Sequence, residues 1–392
     1  SKKGKKLRVG VAIGEYILDL KKMAKLGFFK GISVNTKVFA KPVLNDFMAT
    51  DKSIWSAVRY RLQELLEEGN NELIPYRKEV FCLQSKVTMH LPITIGDYTD
   101  FYASKEHATN VGKLFRGEEN ALLPNWKHLP VAYHGRASSI VVSGTNIHRP
   151  KGQINPNATS PIFSPTKALD FELELAFIIG KPSALGKSIP TEQAEEHIFG
   201  WVLLNDWSAR DIQKWEYQPL GPFLGKNFGT SISPWVVPME ALTPFRCEGV
   251  TKKKEVLSYL QNDSGNLNIN LSAHLAVKGK EERITTANSD LMYWNHSQQL
   301  AHHTVNGCNV NIGDVLASGT ISGHSSENYG SLLEITKGGK KPFQINGVER
   351  TYLEDGDCIT LRGYAEREHI RVGFGEVTGK IIPITKNKDE NN

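Results

Sequence analysis

The segment LDFELELAFIIG, residues 169–180, constrains the fold of this chain more than any other stretch. Its first apolar residues alternate with Asp170, Glu172 and Glu174, so a strand here places the three carboxylates on one face. Taken alone, this alternation is typical of a half-exposed strand whose acids meet water. The β-branched and aromatic residues that follow are instead typical of an interior strand, and ionised carboxylates in an interior need a cation. Both interpretations remain open at this point.

Two further acids lie in similarly apolar surroundings. Asp206 follows the run WVLLN, and Asp100 lies within IGDYTDFY. A site built only from carboxylate oxygens suits a hard cation, Ca²⁺ or Mg²⁺, better than zinc. The sequence does not show that these acids converge in space, so the cation site is a hypothesis.

The distribution of apolar runs predicts two units. After about residue 90, strand-length runs separated by Gly, Pro and Asn dominate and predict a mainly β (α+β) fold. Before that point, residues 7–20 are typical of a hairpin, and apolar residues recur at helical spacing over 54–65. We therefore expect a small first unit and a larger second one.

Composition excludes several classes of protein. The formal net charge of +5 over 392 residues is equalled by the basic residues of the first eight positions, which we expect to form a solvated tail or a weak address signal. The rest of the chain is close to neutral, which argues against nucleic-acid binding. No apolar run approaches the roughly 18 residues of a membrane helix. Four cysteines without a CxxC pair indicate neither a zinc module nor a disulfide framework and fit a cytoplasmic protein.

Common cofactor and hydrolase motifs are absent. GKPSALGKS has five residues between its glycines, where a phosphate-binding loop needs four, and GFGEVTG misses the dinucleotide fingerprint. The sequence contains neither a GxSxG nucleophile elbow nor an HExxH zinc helix. Nucleotide, serine-hydrolase and zinc-protease chemistry are therefore not indicated.

A polar segment follows Asp206. If it is helical, Arg210, Gln213 and Tyr217 share a stripe with Asp206, at i+4, i+7 and i+11. The stripe is then either a polar outward face or a set of donors beside a ligand that carries a carbonyl or carboxylate. The glycine-rich loop that comes next carries Lys226 and is either a plain surface loop or one that approaches a ligand closely.

One histidine stands out among twelve. His107 follows a predicted N-cap, Ser104, and lies seven residues after Asp100, which brings a candidate general base near a candidate metal ligand. The alternative is a structural histidine. The adjacent His302 and His303 point apart on any regular element and are assigned to packing.

Long blocks of the sequence resemble the fumarylacetoacetate hydrolase family. These blocks are HLPITIGDYTDFYASKEHATNVG, FRGEENALLPNW, YHGRASSIVVSGT, LDFELELAF, NDWSARDIQKWEYQPLGPFLGKNFGTSISPW and LASGTISG, in the family's order and with similar spacing. The resemblance covers nearly the whole chain. It implies an SH3-like barrel over residues 1–92, a larger mixed β-roll catalytic domain over residues 93–392, and a homodimer.

The resemblance also implies an activity and a set of site residues. The activity is hydrolysis of a carbon–carbon bond in 4-fumarylacetoacetate to fumarate and acetoacetate, the last step of tyrosine and phenylalanine catabolism. The implied metal ligands are Asp100, Glu172, Glu174 and Asp206 for Ca²⁺, and Asp206, Lys226 and Thr230 for Mg²⁺. The implied catalytic residues are His107 as base, Glu334 as its orienting partner, and Arg210, Gln213 and Lys226 for charge stabilisation. The implied substrate contacts are Tyr102, Arg116, Tyr133, Gln213, Tyr217 and Thr320.

Two alternatives compete with this hypothesis. An acylpyruvate hydrolase, or a decarboxylase acting on a related keto acid with Mg²⁺, would share the metal ligands. A non-catalytic protein could use the same acids to bind a structural cation, but it would not need His107, Arg210 and Lys226 beside them. The match over the whole length favours the first hypothesis.

Overall fold

The computed structural model describes residues 6–252, 255–262 and 264–384. Most of the basic leader and the polar tail from residue 385 lie outside these residues. The helices are α1 (Leu20–Lys25), α2 (Asn45–Met48), α3 (Lys52–Leu66), α4 (Arg77–Val80), α5 (Lys105–Arg116), α6 (Ala194–His197), α7 (Arg210–Glu216), α8 (His296–Thr304) and α9 (Leu332–Ile335).

The strands fall into small hairpins and two larger sheets. They are β1 (Gly10–Ile13), β2 (Tyr16–Asp19), β3 (Phe81–Leu83), β4 (Tyr98–Phe101), β5 (Ala132–Gly135), β6 (Ile140–Val142), β7 (Ile147–His148), β8 (Lys151–Ile154), β9 (Ile162–Pro165), β10 (Leu169–Asp170), β11 (Leu173–Ile179), β12 (Ile198–Asp206), β13 (Ser208–Ala209), β14 (Thr230–Ile232), β15 (Val237–Pro238), β16 (Arg246–Cys247), β17 (Asn266–Leu267), β18 (Asn270–Val277), β19 (Lys280–Asn288), β20 (Val315–Ala317), β21 (Phe343–Ile345), β22 (Val348–Arg350), β23 (Cys358–Arg367) and β24 (Ile370–Ile382).

The amino-terminal unit combines a small sheet with helices. Strands β1, β2 and β3 pair antiparallel in that order, and the predicted hairpin is confirmed by the β1–β2 pair. The predicted amphipathic helix is α3, which buries Val58, Leu62 and Leu65 at helical spacing. The SH3-like barrel stays a prediction, because within residues 6–92 the structure describes a three-stranded sheet and not a closed barrel.

The larger unit is organised around a curled eight-stranded sheet with the order β5-β4-β20-β11-β12-β14-β6, in which β15 also pairs with β12. A five-stranded sheet has the order β19-β18-β23-β24-β7. Strands and helices thus both contribute, and the coarse α+β expectation is confirmed as a mixed architecture. No helix in the described ranges is long and apolar enough to cross a membrane.

The central sheet is buried on both faces. Alternate residues of β11 and β12, such as Ala176 and Leu204, pack with the apolar residues of the amino-terminal unit. The intervening residues, such as Phe177 and Leu203, pack with the five-stranded sheet, where Leu361 is one partner. Strands buried on both sides are continuously apolar, which explains the run LAFIIG. A polar side chain on either face is therefore removed from water.

Candidate active site

Four buried carboxylates meet on the face of the central sheet that looks toward the amino-terminal unit. Asp100 lies on β4, Glu174 on β11 and Asp206 at the end of β12, while Glu172 directly precedes β11. One oxygen from each residue lies within 4.8 Å of the others. Their exposed fractions are 2%, 5%, 0% and 1% for Asp100, Glu172, Glu174 and Asp206. The interpretation of a half-exposed strand whose acids meet water is therefore wrong.

The strand register explains why these acids converge. Asp100 pairs with Ala317 of β20, and Ala317 pairs with Ala176 of β11, two residues beyond Glu174. Side chains two residues apart on a strand share a face. The small alanine side chains leave room on this face for the carboxylates from neighbouring strands.

Two basic side chains, those of Lys226 and Arg210, contact the acidic cluster. The Lys226 ammonium donates to Glu172 Oε2 in a short contact and to Asp206 Oδ2 at 2.8 Å. The Arg210 guanidinium forms an ion pair with Glu172 Oε1 at 2.7 Å and donates to Asp170 Oδ2 at 2.8 Å. Burial opposes the charged forms of both bases, but the carboxylates outweigh it and raise the pKa of Lys226 and of Arg210. Both side chains therefore stay positively charged.

The two basic side chains do not neutralise all four carboxylates of the cluster. Burial opposes the ionisation of Glu172, but the charges of Lys226 and Arg210 outweigh it and lower the pKa of that carboxyl. Burial and the neighbouring carboxylates instead raise the pKa of Asp100 and of Glu174 well above the usual range. Within the described residues, Asp100 Oδ1 and both oxygens of Glu174 have no hydrogen-bond partner. Orphaned buried carboxylate oxygens of this kind fit a hard divalent cation.

A buried histidine–carboxylate pair lies beside the cluster. His107 sits in the first turn of α5, where Ser104 caps the helix as predicted and accepts from the His107 backbone N–H. His107 Nδ1 lies 2.7 Å from Glu334 Oε2 on α9. His107 interacts electrostatically with Glu172, so the pair and the acidic cluster share one electrostatic environment.

Glu334 is held by four side chains. Besides His107, Asn110 donates to its Oε1 at 2.9 Å, and Ser322 and Ser331 each donate to its Oε2 at 2.9 Å. Burial opposes ionisation, but the interaction with His107 and these hydrogen bonds outweigh it and lower the pKa of Glu334. A carboxylate that accepts from Nδ1–H leaves Nε2 of the neutral imidazole as the basic nitrogen.

The helix predicted after Asp206 begins later than expected. Asp206 is the last residue of β12, and α7 spans only Arg210–Glu216, with Tyr217 at its C-cap. The prediction of one helical stripe for all four residues is therefore wrong, because pairing with Thr230 of β14 keeps Asp206 extended. Arg210 still donates to Gln213 Oε1 at 3.3 Å within the helix.

The loop that carries Lys226 is not a plain surface loop. Glu216 Oε1 accepts from the backbone N–H groups of Phe223 and Gly225, both at 2.8 Å. A Cβ added at Gly225 would lie 2.7 Å from the Cβ of Gln213, so only glycine lets the loop approach α7 this closely. This packing directs the Lys226 ammonium inward.

The remaining predicted residues lie at different places. Tyr133, paired with Asp100 across β4 and β5, donates to Asp206 Oδ2 at 2.8 Å, and Thr230 donates to Asp206 Oδ1 at 2.8 Å. The Tyr102 ring lies edge-on to the His107 ring, with centroids 5.5 Å apart. Among the other predicted substrate contacts, the buried Thr320 Oγ1 has no hydrogen-bond partner among the described residues. Arg116 donates to the carbonyls of Asn120 and Ala121, and the Tyr217 hydroxyl accepts from Gln218.

Sequence reasoning missed the role of Asp170. Its carboxylate accepts from the backbone N–H groups of Leu332 and Leu333, at 2.7 and 2.9 Å, as well as from Arg210. Asp170 therefore ties the first turn of α9, which carries Glu334, to the arginine beside the acidic cluster. The alternating acids of LDFELELAF were the available signal. Asn110, Ser322 and Ser331 had none, because Asn110 and Glu334 are 224 residues apart in the chain.

Comparisons with known proteins agree with this geometry. The model of the fumarylacetoacetase N-terminal domain matches residues 1–92, and that of the fumarylacetoacetate hydrolase C-terminal domain matches residues 97–382. The chain is 52% identical to the fumarylacetoacetase of Homo sapiens over 384 residues, which covers 96% of this chain and 92% of the human protein. It is 50% identical to the fumarylacetoacetase of Arabidopsis thaliana over 386 residues, covering 96% and 91%.

A solved structure supports the fold. The fumarylacetoacetate hydrolase from Exiguobacterium antarcticum superposes with a TM-score of 0.55 at 18% identity, over 96% of this chain and 97% of that one. Sequence identity near one half over almost the full length, together with both domain models, leads to one conclusion: this chain belongs to the fumarylacetoacetate hydrolase family.

Proposed function

We propose that the protein hydrolyses 4-fumarylacetoacetate to fumarate and acetoacetate in a reaction that depends on a divalent cation. The observation that carries the proposal is the buried His107–Glu334 pair beside four buried carboxylates. The substrate is inferred from the similar proteins, which are fumarylacetoacetases. A site that served only to hold a structural cation would have no use for an imidazole paired with a carboxylate that three further side chains hold in place.

Different residues of the chain act at different steps of the reaction. His107, with Nδ1–H donated to Glu334, accepts a proton from water at Nε2 as the water oxygen attacks the ketone carbon of the fumaryl group. The carbon–carbon bond then breaks, its electron pair stays on the acetoacetate fragment as an enolate, and that fragment takes up the proton that His107 accepted, which regenerates the neutral imidazole. Glu334 stabilises the imidazolium that forms and holds its orientation.

Charge develops on oxygen during both steps. Arg210, Gln213 and Lys226 are the proposed donors that stabilise it, and each fixed donor is worth about 2–4 kcal/mol of barrier. What supports this is that Arg210 and Lys226 are buried and already fixed by ion pairs with Glu172, so little reorganisation is needed. The proposed substrate contacts are Tyr102, Arg116, Tyr133, Gln213, Tyr217 and Thr320.

The proposed cation site consists of Asp100, Glu172, Glu174 and Asp206. These residues fit a hard cation such as Ca²⁺, because three of their oxygens lack a hydrogen-bond partner in the described part of the chain. When bound, such an ion supplies a Lewis acid that polarises the two ketone oxygens and stabilises the enolate. The second, Mg²⁺ site of the proposal comprises Asp206, Lys226 and Thr230. Lys226 can enter it only through its carbonyl oxygen, since its ammonium contacts Asp206.

The test is the loss of the enol absorbance of fumarylacetoacetate on addition of purified protein. We expect turnover that stops with excess EDTA, returns with Ca²⁺ or Mg²⁺, and yields fumarate and acetoacetate in equal amounts. Metal-dependent turnover of acylpyruvates without loss of fumarylacetoacetate would contradict the proposed substrate. Binding of a cation that raises the melting temperature without turnover of either would contradict the proposed enzyme.

The proposal includes a homodimer. Large apolar side chains are exposed around α7 and the β8–β9 hairpin, namely Phe163, Trp215, Leu220, Phe223 and Leu224. Trp215 donates to Gln153 at 3.3 Å, and Gln153 pairs with Phe163, so the hairpin and α7 form one surface. Exposed apolar side chains that cluster on one surface commonly mark a protein–protein interface. Sedimentation equilibrium should give twice the chain mass of 43.7 kDa, and a single-chain mass would contradict the dimer.

The proposal also places the protein in the cytoplasm. Its support is that Cys82, Cys247, Cys308 and Cys358 are all free thiols, as is usual for a reducing compartment. Fractionation of cells should recover the activity with cytoplasmic markers.

A further inference from the structure

A buried hydroxyl lies beside the acidic cluster without a hydrogen-bond partner. Tyr98 is only 3% exposed, and its hydroxyl has no partner among the residues that the structure describes. Buried polar groups are almost always hydrogen-bonded, so an orphaned hydroxyl in a folded protein points to a role. The proposed mechanism does not assign a role to this side chain.

The strand and a neighbouring glycine fix the direction of Tyr98. It lies two residues before Asp100 on β4, so both side chains project from the same face. Its ring lies against Gly135, the residue opposite it on β5, and a Cβ added there would come within 2.1 Å of the ring carbon Cδ1. Glycine at position 135 is therefore required for the ring to occupy this place.

The hydroxyl shares the electrostatic environment of the carboxylates. All four of them, Asp100, Glu172, Glu174 and Asp206, act electrostatically on Tyr98. Asp100 Oδ1 and both oxygens of Glu174 are themselves without hydrogen-bond partners in the described ranges. One donor and three acceptors thus lie buried on the same face of the sheet, and no direct hydrogen bond joins them in the described residues. A phenol hydroxyl can donate a hydrogen bond at neutral pH, and the unpaired carboxylate oxygens can accept one.

We infer that the Tyr98 hydroxyl donates a hydrogen bond, through one water, to the carboxylates of the cation site, and so acts as a positioning residue for the cation. The inference rests on the proposed function, because it presupposes that the cluster binds a cation. Groups that hydrogen-bond to metal ligands orient the ligand lone pairs, and their loss weakens metal binding about 10- to 100-fold. A tyrosine that only filled the core would contribute through its ring and not through its hydroxyl.

The test is Tyr98→Phe, which removes the hydroxyl and keeps the ring. Metal-free wild type and variant are titrated with Ca²⁺ by calorimetry, and their melting temperatures are measured with and without Ca²⁺. We expect Kd to rise at least tenfold and the rise in melting temperature caused by Ca²⁺ to shrink, while the metal-free melting temperature stays the same. The matched control is Tyr293→Phe, at a tyrosine that is 5% exposed and packs against Trp126 and Trp294, for which Kd should stay within twofold.

The possible outcomes separate the two proposals. A wild-type protein that binds neither Ca²⁺ nor Mg²⁺ contradicts the proposed cation-dependent function. A wild type that binds and a Tyr98→Phe variant with Kd within twofold of it overturns the role of the hydroxyl alone. A variant whose metal-free form loses its folded structure also overturns it, because the hydroxyl would then stabilise the core and not the cation site.

Discussion

Replacement of Glu334 by glutamine tests the charge of the histidine partner. The change Glu334→Gln keeps the shape of the side chain, and its amide oxygen can still accept from His107 Nδ1 and from Ser322 and Ser331. Its amide nitrogen then faces Asn110, whose own amide can turn to offer its oxygen. The tautomer of His107 is thus retained, and the negative charge beside it is lost.

The magnitude follows from the contact of 2.7 Å between Nδ1 and Oε2. An imidazolium and a carboxylate about 4 Å apart, measured between charge centres, attract by about 4 kcal/mol at an effective dielectric constant near 20. A neutral amide keeps roughly half of a charge-assisted hydrogen bond. The variant therefore loses about 2 kcal/mol of transition-state stabilisation, or roughly 30-fold in kcat.

The assay is the loss of fumarylacetoacetate absorbance at saturating Ca²⁺, followed across pH. A carboxyl whose folded pKa is lowered stays ionised above its ordinary value of about 4.5, so the wild type carries the Glu334 charge, and the variant lacks it, throughout an assay range above that pH. Calcium affinity should change much less than kcat, because Glu334 contacts none of the four carboxylates and acts on them only at longer range. The control is Glu118→Gln, whose side chain is 85% exposed and whose loss should leave kcat unchanged. A kcat within threefold of wild type in a folded Glu334→Gln variant would refute the proposed role.

Three further changes test the proposed cation site, the helix that carries His107 and an ion pair distant from both. Glu172→Gln should weaken calcium binding at least tenfold and lower kcat at low Ca²⁺, with partial recovery at high Ca²⁺; unchanged affinity would argue against Glu172 as a ligand. Gly112→Ala should destabilise the protein to urea by at least about 2 kcal/mol although alanine favours helix, because its Cβ would lie 1.7 Å from the Ala121 carbonyl oxygen; equal stability would show that α5 can shift. Burial opposes ionisation of Glu195, but hydrogen bonds from His296 and Arg246 lower its pKa to about 2, so its stabilising contribution is present above about pH 4.5 and is lost as pH falls toward 2. The stability difference between wild type and Arg246→Ala should therefore shrink from pH 7 to pH 3, and a difference that does not change with pH would contradict this.

The sequence alone determined the local features of this protein. The hairpin over residues 7–20, the amphipathic helix over 54–65 and the N-cap at Ser104 depend on residues close together in the chain, and all three are confirmed. The family was also determined by the sequence, because its long blocks occur in order along the chain. The predicted acids could be named as candidates since their apolar surroundings are visible locally.

Only the tertiary structure decided which polar groups share a site. The register of β4, β20, β11 and β12 gathers four carboxylates from parts of the chain that are up to about a hundred residues apart, and it keeps Asp206 on a strand where helical spacing had placed it on a helix. The packing of strands and helices gives Asp170 and Asn110 their hydrogen-bond partners. The same packing leaves the Tyr98 hydroxyl without a partner among the described residues. Hydrogen bonds and charge interactions act over a few ångströms in space, and sequence separation does not report such distances.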